Sequence, residues 1–111
     1  MFKFVTIFRR VDDPAAVEQF FSSTQLPLSE QLPGLLRSEV SRIFGKPGGS
    51  SRYYLMYEIY FTDGGAYHQA IRSEAGIKLA QALKPWHDAK IITMFFAETF
   101  SEDRPPADAA G

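Results

Sequence analysis

The side chains of this chain that could do acid–base or redox chemistry are few. There is no cysteine, which removes disulfides, thiolate metal ligation and thiol nucleophiles together. Two histidines, His68 and His87, are the only residues of the type that exchanges a proton at roughly pH 5 to 8. His87 follows Pro85 and Trp86, where a helix should end. It reads as a pocket base, as an axial ligand to haem, or as a surface histidine favoured by the helix C-terminus. His68 has the same choices, but it sits beside Tyr67 in a helical run, and Tyr67 is the better core residue of the two. Glu58 lies between Tyr57 and Ile59 in a run that reads as a central strand. Enclosed there it is a candidate general acid or base; paired with Arg37 or Arg42 of a neighbouring strand it is an ion pair. Tyr53, Tyr54, Tyr57 and Tyr60 can donate a phenol hydrogen bond to a carbonyl or an enolate, or simply pack. No Ser-His-Asp order or metal-ligand spacing stands out. The glycines between 45 and 49 lack the spacing of a phosphate-binding loop.

These groups must be positioned by a chain of 111 residues, the length of one domain. Hydrophobic residues make up 45% and charged residues 23%, which excludes global disorder. With 12 Lys plus Arg against 13 Asp plus Glu, a basic nucleic-acid footprint is absent. No apolar run approaches the roughly 20 residues of a membrane helix, and the first ten residues read as neither a signal nor a transit peptide. A cytoplasmic setting is the expectation. The one excess is aromatic: 10 Phe and 5 Tyr.

Phe2 to Arg9 alternates with period two and reads as a strand. Asp13-Pro14 starts a helix carrying Val17, Phe20, Phe21 and Thr24 on one stripe, which Pro27 should end or kink near Leu26. Pro33-Gly34 is a stop. A second strand spans Leu35 to Phe44, a flexible loop follows, and a third strand spans Tyr53 to Phe61. Thr62 or Asp63 caps a second helix, interrupted or re-capped at Ser73-Glu74-Ala75-Gly76 and ended by Pro85. Ile91 to Phe100 is the fourth strand. Residues 1–100 form the domain, and Ser101 to Gly111 reads as a disordered tail.

The order β-α-β-β-α-β predicts an α+β, ferredoxin-like fold: a four-stranded antiparallel sheet with two helices on one face. The other face then has no cover, yet the strands are apolar on both sides. A homodimer with the two sheets facing each other, a dimeric α/β barrel, resolves this. The expected parity puts Tyr57, Ile59 and Phe61 toward the barrel with Phe95 of the fourth strand; a single bulge would reverse it.

Read in order, Arg9-Arg10, Pro27-Leu28, Leu32-Pro33-Gly34-Leu35, Glu39-Val40-Ser41-Arg42, Tyr53-Tyr54-Leu55, Glu58-Ile59-Tyr60-Phe61 and Ser73-Glu74-Ala75-Gly76 resemble the EthD family of dimeric α/β-barrel proteins. The resemblance implies the barrel dimer and a small, often aromatic, substrate, commonly handled without metal or organic cofactor. The family often carries His two residues before the Pro-Leu pair, where this chain has Gln25. It often carries Asp five residues after the glycine, where this chain has Gln81. Glutamine keeps hydrogen-bonding capacity but titrates nothing. The expected activity is therefore proton transfer, dehydration, decarboxylation or cofactor-free oxygenation of an apolar or aromatic carbonyl compound. Glu58 or His87 would be the catalytic group, and Gln25, Tyr57, Phe61, Gln81 and Phe95 would contact the substrate. The alternatives are a non-catalytic ligand-binding or partner module and a haem-binding barrel.

Overall fold

A computed structural model describes residues 1–104. Strand β1 (Phe2–Arg9) leads into helix α1 (Pro14–Phe20), a π-helical turn (Phe21–Gln25) and helix α2 (Leu26–Glu30). Strands β2 (Arg37–Arg42) and β3 (Tyr53–Phe61) follow, then helices α3 (Gly64–Ile71) and α4 (Glu74–Asp88), and strand β4 (Ile92–Glu98). The sheet is antiparallel in the order β2-β3-β1-β4, with the helices on one face, as in the ferredoxin-like fold.

The helix starts follow local chemistry. The Asp13 carboxylate accepts from Ala15 N at 3.2 Å with Pro14 in the first turn, and Asp63 accepts from Ala66 N at 2.8 Å. Ser73 both closes α3 and opens α4: its hydroxyl donates to the Ala70 carbonyl and accepts from Gly76 N at 3.1 Å. Each of the two expected helices is thus a pair of segments. Pro27 does not end the first one. The wide turn before it sends Leu26 N back to Phe21 O, five residues away, and opens the space where a proline ring would otherwise strike the carbonyl four residues earlier. Pro85 does not end α4 either. It stands in the last turn, which continues to Asp88 with Ala89 N on the Pro85 carbonyl at 3.0 Å. Trp86, against Phe20 at 4.8 Å and Phe8 at 5.7 Å, anchors that turn.

The expected parity is reversed by the register. Phe8 pairs with Leu55, Thr6 with Tyr57, Phe4 with Ile59 and Phe2 with Phe61, and this row lies against the helices. Tyr57 meets Phe21 of the π turn at 4.9 Å, and Phe61 meets Tyr67 of α3 at 5.6 Å. Phe95 pairs with Val5 and lies on the other side of the pleat. That open face carries Val5, Ile7, Met56 and Phe95 beside Lys3, Glu58, Tyr60, Glu39 and Arg37. A bulge at the end of β1 shifts the register between Phe8 and Arg9, and Tyr54 there turns to the helix side to donate to Glu18 Oε2 at 2.6 Å. Of the expected tail, Ser101 to Arg104 are exposed and in no element, and residues 105–111 lie outside the described residues.

Candidate functional site

The main apolar hollow lies between α3/α4 and the β1–β4 edge of the sheet. It measures about 480 Å³, in the range of small-molecule sites, and its wall includes Phe4, Tyr67, Leu79, Leu83, Met94 and Phe96. Phe95 borders it from the edge strand, and His87 and Lys84 stand at its mouth. The packing of the wall follows from sequence. Phe2, Phe4, Tyr67 and Phe96 form a tilted aromatic cluster with centroids 5.2 to 5.6 Å apart. Leu79 and Leu83, one helical turn apart, give α4 its buried stripe. Burial pushes the Tyr67 phenol up in pKa, so it stays a neutral donor. Gly76 completes the wall at the point where α4 crosses the end of α3.

A second feature lies under α2, against β3. Gln25 Oε1, Ser29 Oγ and Tyr57 Oη are enclosed polar atoms with no hydrogen-bond partner. Each residue is no more than 2% exposed. The π turn delivers Gln25 and α2 delivers Ser29, four residues on and on the same helical face. Burial raises the Tyr57 pKa. Such a group of orphaned polar atoms is rare in a folded interior, and π turns recur at functional sites. Nothing in the cluster titrates near neutrality, so it can orient a carbonyl or a hydroxyl but cannot move a proton.

Glu58 lies on the open sheet face, bound to Lys3 Nζ at 2.7 Å rather than to Arg37 or Arg42. That carboxylate raises the Lys3 pKa, first through the hydrogen bond. Arg42 instead forks onto Glu18 at 2.7 and 2.9 Å on the helix side. With Tyr54 this holds the Glu18 carboxyl down at about 2. Tyr60 donates to Glu39 at 2.6 Å. Gln81 is exposed on α4 and lines neither the cleft nor the buried cluster. Phe61 is fully enclosed in the core. His68 is exposed, its Nδ1 2.7 Å from the Gly64 carbonyl oxygen.

The structure thus brings His87 and Phe95 to one cleft, and Gln25 and Tyr57 to one buried cluster. Glu58 is on the opposite face of the sheet from Tyr57. Ser29 was missed by sequence reasoning, although its four-residue spacing from Gln25 was a usable signal. Lys84 was missed because nothing local marks it. Among the described residues no three His, Cys, Asp or Glu side chains gather as a metal site, and no helix is long and apolar enough to cross a membrane.

No protein-family model matches the chain. It is 24% identical over 98 residues, 88% of its length and 95% of the relative's, to an uncharacterized 11.0 kDa protein from the thcB-thcC intergenic region of Rhodococcus erythropolis. Two solved structures share the fold at lower identity. SnoaB, a cofactor-independent oxygenase from Streptomyces nogalater, is 22% identical with a TM-score of 0.60, over 95% of this chain and 96% of that one. A dimeric ferredoxin-like protein from Jannaschia sp. is 16% identical with a TM-score of 0.64, over 89% and 100%. The crystal structure of an ethyl tert-butyl ether D (EthD) family protein from Bacillus halodurans superimposes with a TM-score of 0.83 at 30% identity, over 90% of this chain and 99% of that one. With that identity held along nearly the whole of the Bacillus halodurans protein, the chain belongs to the EthD family.

Proposed function

We propose that the chain is a small enzyme that binds an apolar or aromatic carbonyl compound in the α3/α4 cleft and uses His87 to move a proton on it. The observation that carries this reading is the pairing of an aromatic cleft of about 480 Å³ with one imidazole at its mouth. The wall supplies binding by excluding water. The imidazole supplies the group that can take a proton from a carbon beside the carbonyl and return it. The fold this chain shares with a cofactor-independent oxygenase agrees with chemistry run by side chains alone.

The test is exchange of the acidic C–H of 2-tetralone in D2O, followed by proton NMR. The wild-type chain should accelerate exchange over buffer, and His87→Gln should bind the ketone and lose the acceleration. Binding without acceleration by the wild type would replace this reading with a non-catalytic one, which the untitratable Gln25–Ser29–Tyr57 cluster already favours as the second choice. An unaffected His87→Gln would remove His87 from the chemistry.

The working unit proposed is a homodimer joined through the open sheet face. Ile7, Met56 and Phe95 form its apolar centre around the already buried Val5, and Phe95 remains 42% exposed in the single chain. The charged residues around it are mutually paired, so a partner sheet need not strand a charge. A dimeric protein among the fold relatives agrees with this.

A further inference from the structure

A second hollow, which sequence reasoning did not mark, meets the cleft at His87. This hollow, about 630 Å³, is lined by Arg9, Arg52, Tyr53, Lys90 and Thr93, and it shares His87 with the cleft. Beside it, Arg10 joins Arg9, Arg52 and Lys90 around an adjoining depression. Four cations from three separate segments therefore meet at one end of the sheet of a chain whose net charge is −1. Among the described residues none of the four has a carboxylate within 4.0 Å. Two acids share the lining, Asp88 in the hollow and Asp12 in the adjoining depression, and the Asp88 carboxylate is held by Lys84 at 2.8 Å.

Structure alone explains part of this. A helix C-terminus attracts cations, which accounts for His87 and Lys90 at the end of α4. It does not account for Arg9 and Arg10, at and just past the end of β1, or for Arg52, just before β3. Arg10 is spent on the backbone, donating to the Ser51 and Ile43 carbonyls at 3.1 Å each. Arg9, Arg52 and Lys90 are left facing solvent. Lys90 also occupies a left-handed position, φ 62°, where glycine is the residue a helix end prefers.

We propose that the cleft and the cationic hollow together take one amphipathic anion. Its aromatic or aliphatic body lies in the cleft, and its carboxylate, phosphate or sulfonate head lies on Arg9, Arg52 and Lys90, with His87 between the two. This rests on the cleft being the ligand site and names the substrate class for it.

The test uses two fluorescent probes that differ by the charged group: 8-anilinonaphthalene-1-sulfonate and its uncharged parent N-phenyl-1-naphthylamine. Both are titrated into the full chain at low salt. The sulfonate should bind roughly tenfold more tightly, the size expected of two or three exposed charge contacts. That preference should vanish near 1 M salt, where screening acts within about 3 Å. The double variant Arg52→Gln/Lys90→Gly should bring the sulfonate down to the affinity of the uncharged probe. Lys90→Gly also relieves the left-handed strain, so loss of folding cannot mimic the result. Equal affinities for the two probes, or an unchanged sulfonate affinity in the double variant, would overturn the anion proposal and leave the cleft reading standing. Ala80 of α4 also lines the cleft, and Ala80→Trp, which fills it, should abolish both probes. Retention of both in that variant would overturn the cleft reading itself, and this proposal with it.

Discussion

Gly76→Ala should destabilise the protein, although the same change in an ordinary helix would stabilise it. Alanine is favoured over glycine in a helix interior by about 1 kcal/mol. Gly76 is in the first turn of α4, where that helix crosses the end of α3. A Cβ there would lie 2.6 Å from the Ile71 carbonyl carbon, and nearer still to the Ala70 oxygen and the Ile71 Cα. These are backbone atoms in a junction pinned by both hydrogen bonds of Ser73, so no side chain can swing away. Overpacking of this kind costs about 1–3 kcal/mol, and more where backbone must move. Because backbone must move here, the upper part of that range applies, about 2–3 kcal/mol, and after the helix gain is subtracted a net loss of about 1–2 kcal/mol remains. For a domain of this size that is a fall in Tm of roughly 5–15 °C. The assay is thermal unfolding by circular dichroism, with urea titration to check that the m-value is unchanged. Gly65→Ala is the control: its Cβ would meet only the Asp63 carboxylate, at 3.3 Å, and stability should move by no more than about 1 kcal/mol. Gly76→Ala as stable as the parent would refute the close approach of the two helices. Because Gly76 also lines the cleft, the variant should weaken probe binding in parallel.

The buried hydroxyl of Tyr57 has no partner, so Tyr57→Phe should leave stability unchanged or raise it by up to about 1 kcal/mol; a loss beyond that, read from urea unfolding, would mean the hydroxyl is satisfied. Glu18 is held at about 2 in the folded chain against an ordinary 4.5, so its contribution is full above pH 4.5 and is lost as pH falls toward 2. Its side chain is one-third exposed, so screening leaves about 1 kcal/mol of that shift, and Glu18→Gln should lose this amount at pH 7 while showing a flatter acid transition below pH 4.5. Ile7→Asp places a charge in the apolar centre of the open sheet face and should convert a dimer to a monomer by light scattering; a wild-type chain that is already monomeric at micromolar concentration removes the dimer. Ending the chain after Phe100 should change Tm by no more than a degree or two, and a larger fall would show that the last residues pack on the domain.

Much of the fold was legible because backbone chemistry is local. The alternation of Phe2 to Arg9 and of Tyr53 to Phe61, the Asp13 and Asp63 caps, the second cap at Ser73 and the Pro33-Gly34 stop all act within a few residues. Together they set the element order and with it the ferredoxin-like class. The stop assigned to Pro85, and the stop that was one of two readings of Pro27 beside a kink, failed for the same reason. Pro27 and Pro85 carry local rules for ending a helix, but a wide turn before one and a last-turn position for the other make those rules irrelevant.

What the sequence by itself determined is therefore the order and type of the elements and the presence of apolar residues on both strand faces. Only the tertiary structure decided which face meets the helices. Where both faces are apolar, alternation fixes parity only relative to itself, and the pairing of Phe8 with Leu55 had to settle it. The same holds for the sites. Gln25 and Ser29 are buried against Tyr57 because the π turn rotates one helix over another strand. Arg9, Arg52 and Lys90 meet because three chain segments, far apart in sequence, come together at the same end of the sheet. No local pattern encodes either meeting, since the forces that make it act only once the sheet has closed.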